Sequence, residues 1–161
     1  MSDFRIIAAT ENDVPLLLSL IRELADYEKL LREVSATEET LRESLFSARP
    51  AAEALLGYEG DAPVGYAIFF HNFSTFLGQR GLYLEDLYVR PAARGRGYGL
   101  AFLKHLAQLA VERNCGRMEW SVLDWNEPAI GFYKSLRAAP MNEWTVFRLT
   151  EDALENLARA K

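Results

Sequence analysis

The residues of this 161-residue chain that point most directly to chemistry are Arg94-Gly95-Arg96-Gly97-Tyr98-Gly99. They follow the strand-like run Leu84-Glu85-Asp86-Leu87-Tyr88-Val89 and open an amphipathic helical pattern. The start of a helix leaves its first N–H groups without acceptors, all aimed at one spot where the helix dipole is positive. The three glycines let a pyrophosphate approach that backbone without Cβ interference, and Arg94 and Arg96 add positive charge. The spacing therefore predicts a phosphate cradle. A nucleotide-hydrolysing P-loop needs Lys-Ser/Thr after its last glycine, and here Leu100-Ala101 follow. A dinucleotide fold needs its glycines early, after the first strand of a βαβ unit and with an acidic residue closing the next strand, and these come late. The plain alternative is an ordinary glycine-rich strand-to-helix turn.

The elements around the loop are legible from periodicity. Phe4 to Ala8 reads as a strand, and Thr10 with Pro15 opens a helix whose apolar stripe is Val14, Leu17, Leu18, Ile21 and Leu24. Tyr27 to Glu39 is a helical extension or loop, after which Thr37 caps a short helix to about Phe46. Ala52 to Tyr58 and Val64 to Phe73 form a hairpin across Glu59-Gly60-Asp61-Ala62-Pro63, and Gly81 to Val89 is a further strand. The helix after the loop runs to about Asn114, burying Leu100, Leu103, Leu106, Ala107 and Ala110 and exposing Lys104, Gln108 and Glu112. Arg117 to Leu123 reads as a strand, Asn126 caps a short helix with Pro128 in its first turn, and Trp144 to Leu149 reads as a final strand. The order is β-α-α-β-β-β-α-β-α-β, a mixed α/β pattern expected to form one domain over 1–161.

Composition narrows the class. The chain is half hydrophobic and a quarter charged, as soluble globular domains are. Its single cysteine, Cys115, excludes an intramolecular disulfide, and no basic-then-apolar leader pattern stands at Met1-Ser2-Asp3-Phe4, so a reducing cytoplasm is expected. No apolar run approaches the length of a membrane span. The net charge of −5 divides unevenly, −7 over residues 1–90 and +2 over 91–161. If the two parts line one cleft, the first favours a cationic ligand and the second an anionic one. Overall acidity argues against nucleic acid as a partner. His71 and His105 lack metal-ligand spacing, so no metal is expected.

Arg94-Gly95-Arg96-Gly97-Tyr98-Gly99 matches the Arg/Gln-x-x-Gly-x-Gly/Ala signature of the GNAT superfamily of acetyl-CoA-dependent N-acetyltransferases, and the chain resembles a member of it. Four further segments resemble its diamine (spermidine/spermine, thialysine) branch: Arg5 to Thr10, Glu23-Leu24-Ala25-Asp26-Tyr27-Glu28, Tyr83-Leu84-Glu85-Asp86, and Trp125-Asn126-Glu127-Pro128-Ala129-Ile130-Gly131-Phe132-Tyr133-Lys134. The resemblance implies a central mixed, mostly antiparallel sheet flanked by helices. Two parallel strands in it splay apart, here Tyr83 to Val89 and Arg117 to Leu123, so that pantetheine amides pair the freed backbone. Acetyl-CoA is the implied co-substrate, held by Leu87, Tyr88, Val89, Arg94 to Gly99 and Asn126.

The same resemblance implies roles for particular side chains. Tyr133 is the implied general acid that protonates the departing thiolate, against a purely packing role for Phe132 and Tyr133. An ammonium group must lose a proton before it attacks, and Glu85, with Asp86 beside it, is the implied acceptor of that proton. Adjacent strand residues face opposite ways, and the resemblance favours Glu85. Tyr27, Glu28 and Trp144 are implied at the acceptor side, against solvent exposure for Glu28 and packing for Trp144. Cys115 reads as a small packing residue. Polyamine-acetylating members carry an acidic residue before an aromatic one ahead of Tyr-Leu-Glu-Asp, whereas Ser74-Thr75-Phe76-Leu77 keeps only the aromatic. A shorter diamine or a lysine-like amine is then as suitable as spermidine. The branch implies a homodimer. The alternatives are a protein lysine or N-terminal acetyltransferase and a catalytically silent acyl-CoA-binding sensor.

Overall fold

A computed structural model describes residues 3–161. The chain divides into two compact units, the first ending at Ser121 and the second covering Val122–Lys161. The first holds a five-stranded sheet of β1 (Phe4–Ala8), β2 (Glu53–Glu59), β3 (Ala62–Ser74), β4 (Gln79–Val89) and β5 (Met118–Trp120), ordered as in the sequence. The first three pairings are antiparallel and β4 pairs with β5 in parallel. An antiparallel neighbour needs only a tight turn, supplied by Gly60 and Gly78 at φ of +58° and +64°. A parallel neighbour needs a crossover, and the helix after the glycine loop provides it.

Helices α1 (Val14–Tyr27) and α2 (Glu38–Phe46) cover one face of the sheet and α3 (Tyr98–Glu112) packs on β4. Polar residues define where the first two begin. Asp13 accepts from the Thr10 amide at 2.7 Å ahead of α1, and Thr37 accepts from the Thr40 amide at 3.1 Å ahead of α2. The α1–α2 face buries Leu17, Leu20 and Leu45 against Ala54, Leu56, Tyr66, Ile68 and Tyr88. In the expected α1 stripe Val14 and Leu17 are fully buried, while Leu18, Ile21 and Leu24 are half-buried and Leu20 takes a core place. On α3, Leu103, Leu106 and Ala110 are buried as expected, Phe102 is an additional core residue, and Ala107 is exposed.

Phe102 fits because two facing glycines leave room for it. A Cβ on Gly57 would come within 2.8 Å of the Phe102 ring, and a Cβ on Gly65 would run into the Tyr88 carbonyl oxygen, a backbone atom that cannot swing away. Gly65→Ala is therefore expected to destabilise the fold by about 2 to 3 kcal/mol, as overpacking against backbone does, and chemical denaturation would measure it.

Strand β4 carries an irregularity that positions the site. Ile68 pairs with Asp86 and Phe69 with Leu84, so Glu85 is one residue too many for its neighbour. This is a β-bulge. It places Leu82 and Leu84 on the face shared with Ala67 and Phe69, whereas Asp86 and Tyr88 share the α1–α2 face with Tyr66 and Ile68.

The second unit contains α4 (Glu127–Ser135) and α5 (Glu151–Arg159). Its C-terminal part corrects the sequence reading. Trp144 to Leu149, expected as a final strand, takes no place in the sheet, and Trp144, Val146 and Phe147 are exposed by 75, 84 and 93%. β-branched and aromatic residues favour a strand only where a neighbouring strand completes the ladder. The expected strand Arg117 to Leu123 shortens to Met118–Trp120 for the same reason, since its pairing with β4 ends there. Helix α5 was absent from the expected order. Thr150 stands at its start, Glu151 and Asp152 fill its first turn, and Arg159 pairs with Glu155 at 3.2 Å in its last.

Candidate active site

The glycine loop forms the uncapped start of α3. Gly95 and Gly97 adopt φ of +76° and +82°, a left-handed conformation that favours glycine. Gly97 accepts from the Ala101 amide at 3.0 Å, and no side chain caps the helix. The amides of Tyr98, Gly99 and Leu100 thus precede the first α-helical hydrogen bond. A Cβ at Gly95, Gly97 or Gly99 would meet nothing within 4 Å, so the space over the loop is open to a ligand. These features fit a diphosphate.

The side chains of the loop divide the work. Tyr98 is turned inward, 3% exposed and stacked on Phe4 with ring centroids 4.1 Å apart, so it anchors the helix start and offers only backbone to a ligand. Arg96 gives both carboxylate oxygens of Glu59 a hydrogen bond, at 2.7 and 2.8 Å, which offsets its charge. Arg94 donates from Nε to the Val89 carbonyl at 2.9 Å, and its guanidinium lies over the Tyr27 ring at 4.6 Å and the Tyr88 ring at 5.7 Å. Tyr88, 5% exposed, thereby braces Arg94 from the core, and Tyr27 braces it from the end of α1.

The sheet supplies a second feature. Pairing of β4 with β5 covers Leu82, Tyr83 and Leu84 and stops at Trp120. From Asp86 to Val89, β4 pairs with β3 on one side and has no described strand on the other. Backbone polar groups along such an edge need partners, which an amide-bearing ligand can provide.

The acidic residues separate at the bulge. Glu85 is exposed, whereas Asp86 is half-buried and accepts a hydrogen bond from the Tyr66 hydroxyl at 2.9 Å. Burial pushes the Asp86 carboxyl above the ordinary carboxylate range; the Tyr66 hydrogen bond opposes that push and the Glu85 charge adds to it. Glu28, half-buried just after α1, is also raised, first by burial and then by the negative charge of Asp86. Asp86 takes no part in the ion pairs of the described residues. Two partly desolvated carboxylates that repel one another form an electronegative spot suited to a cation. Tyr66 lies in the apolar-looking run Val64 to Phe70, and its phenol was the only signal in the sequence.

The segment that departs from the polyamine pattern forms the β3–β4 turn. Ser74 is buried and accepts from the Leu77 amide at 3.2 Å, and Phe76 stands 99% exposed at the tip. His71 and Cys115 lie in another cluster, with Arg113 donating to Glu53 at 2.6 Å and placed 2.9 Å from His71 Nε2. Among the described residues no group of three or more His, Cys, Asp or Glu could hold a metal ion.

In the second unit, Asn126 accepts from the Ala129 amide at 3.4 Å and caps α4, with Pro128 in the first turn. Tyr133 is half-buried on α4, its ring 5.7 Å from that of Phe132. Trp144 is exposed.

The chain is similar to known proteins over nearly its full length. The Acetyltransferase (GNAT) family pattern matches residues 19–137. The thialysine N-epsilon-acetyltransferase of Bos taurus is 38% identical, the alignment covering 98% of this chain and 99% of that protein. The L-ornithine N5-acetyltransferase of Arabidopsis thaliana is 32% identical over 94% of this chain and 86% of that protein. Among solved structures, an integron cassette protein from the mobile metagenome of V. cholerae superposes with a TM-score of 0.82 at 29% identity, covering 99% of this chain and all of that one. The chain belongs to the GNAT acetyltransferase family. It is an acetyl-CoA-dependent N-acetyltransferase.

Proposed function

We propose that the protein acetylates the primary amine of a small cationic acceptor, a lysine-like amino acid or a short diamine. The observation that carries this reading is the presence of two partly buried carboxylates, Asp86 raised by burial and by Glu85, and Glu28 raised by burial and by Asp86, which an ammonium group would relieve. The names of the bovine and Arabidopsis relatives, which act on thialysine and ornithine, support the same class. Acetyl-CoA supplies an activated thioester. The backbone of Tyr98 to Leu100 and the Arg94 guanidinium would receive its diphosphate, and the open edge of β4 at Leu87 and Val89 its amides. Asn126 is a further contact, in addition to its capping role. Asp86 and Glu28 hold the acceptor's ammonium group, Tyr27 and Trp144 line the acceptor side, and Glu85, exposed at the bulge, takes the attacking nitrogen's proton directly or through water. The Tyr133 hydroxyl releases the proton that the leaving group takes up.

The test is free-thiol release from acetyl-CoA by the purified protein against lysine, thialysine, ornithine, putrescine, spermidine and histone-like peptides. Turnover with one small amine is expected. Turnover confined to peptides would replace the acceptor class, and acetyl-CoA binding without turnover on any of them would favour a silent sensor.

The cradle has its own test. Gly99→Val is expected to leave the thermal midpoint nearly unchanged, because its Cβ meets no protein atom within 4 Å, and to weaken acetyl-CoA binding by at least about tenfold in calorimetry. Gly97 is a poorer probe, since its φ of +82° strains any side chain. Unchanged binding by the Gly99 variant would move the diphosphate elsewhere.

The reading includes a homodimer, supported by the exposed apolar residues Trp144, Val146 and Phe147, which a partner would cover. It also includes a cytoplasmic setting, supported by the single free Cys115, and no nucleic-acid partner, supported by the net charge of −5. No described helix is long and apolar enough to cross a membrane.

A further inference from the structure

We propose that Tyr66 is a positioning residue for the acceptor site, its buried phenol holding the Asp86 carboxylate in the orientation that receives the ammonium group. This rests on the reading of Asp86 as an acceptor contact and adds to it a residue that never touches substrate.

Tyr66 is wholly buried among Leu17, Leu20, Leu56 and Ile68. A phenylalanine would fill that volume without carrying a hydroxyl into an apolar core, where an unbonded hydroxyl is costly. The hydroxyl donates to one described partner, Asp86 Oδ2, at 2.9 Å. The register explains the reach. Tyr66 pairs with Tyr88, and Asp86 pairs with Ile68, so Tyr66 and Asp86 are diagonal neighbours on one face, a separation a long aromatic side chain spans.

Asp86 needs such a brace. It follows the bulge directly, where the ladder is broken, and it carries no salt bridge among the described residues to fix its rotamer. The titratable groups acting on it come from three elements: Tyr66 from β3, Glu85 from its own strand, and Glu28 from the end of α1. Tyr66 itself is held far above the ordinary phenol range by burial and by Asp86, so it remains a donor throughout the working pH range. Its hydrogen bond favours the ionised carboxylate, against burial and Glu85, which disfavour it.

The experiment is steady-state kinetics of Tyr66→Phe with the amine that the wild type turns over. The variant is expected to raise the amine KM about tenfold or more, as loss of a hydrogen bond to a charged group does, with the acetyl-CoA KM unchanged. The acidic limb of its kcat/KM for the amine should move to higher pH, because Asp86 loses the bond that favours its ionised form. Placed in an Asp86→Asn background, Tyr66→Phe should cost little further. A purely structural role would leave the pH limb in place and give the same loss in both backgrounds; either result, or an unchanged amine KM, overturns the proposal. A wild-type protein that binds acetyl-CoA but acetylates no amine removes the acceptor reading and this proposal together, whereas normal wild-type turnover with an indifferent Tyr66→Phe removes only the latter.

Discussion

Tyr133→Phe is expected to lower kcat by about 10²-fold or more while leaving acetyl-CoA affinity unchanged. The substitution removes one oxygen and keeps the ring. Asn126 still caps α4, Pro128 still occupies its first turn, and the contact with Phe132 is retained. A loss confined to turnover, with acetyl-CoA affinity and thermal midpoint both unchanged, reports proton delivery rather than packing. Rapid-mixing measurement of thiol release in a single turnover would separate the chemical step from product release. Near-normal turnover would take Tyr133 out of the mechanism and leave solvent to protonate the leaving group.

Asp86→Asn carries an opposite pair of effects. Amine kcat/KM should fall about 10²-fold, as expected when one member of a partly desolvated charge pair is removed. Stability should not fall with it. The Asp86 pKa is raised above its ordinary 3.8 in the folded protein, so the protonated form is the one the fold favours. That contribution is fully present below the unfolded value and is lost as pH rises through the folded one. At neutral pH the ionised carboxylate is thus a cost to the fold. Asparagine removes the charge and keeps an oxygen for the Tyr66 hydroxyl, so the thermal midpoint at pH 7 should rise. The gap from the wild type should close on acidification, as Asp86 takes up its proton. A lower midpoint at pH 7 together with an unchanged amine KM would sink both the site and its energetics.

Much of the fold was legible because its signals are local. The Thr10 and Thr37 starts, the α3 stripe around Leu103 and Leu106, and the Gly60 turn all follow from spacing and turn chemistry. The final strand was misread because Trp144, Val146 and Phe147 state a preference that only a neighbouring strand can realise. Helix α5 carried ordinary signals in Thr150, Glu151 and Asp152, which the strand expectation just before it obscured. The phosphate loop was readable from its glycines, but the partners of its arginines were not. Nothing near Arg96 in sequence points to Glu59, and nothing near Arg94 points to Tyr27. Contacts across many residues are set by topology rather than by local pattern. Tyr66 was hidden for a related reason, since in a strand rich in aromatics only its hydroxyl distinguishes it.

The extra residue at Glu85 works on the faces of β4 as an inserted base works on codons. Upstream of it, Leu82 and Leu84 lie on one side of the sheet; downstream, Asp86 and Tyr88 lie on the other, although all four numbers are even. Were Glu85 instead to take a regular place in the ladder opposite Ile68, every later residue would be carried one place on, to the end of the strand. Asp86 would share a face with Ala67 and Phe69, away from Tyr66 and Glu28, and Leu87 would take its place among the acids. The face that Asp86 presents, and with it the proposed acceptor site, therefore depends on the bulge, a matter of count as much as of composition.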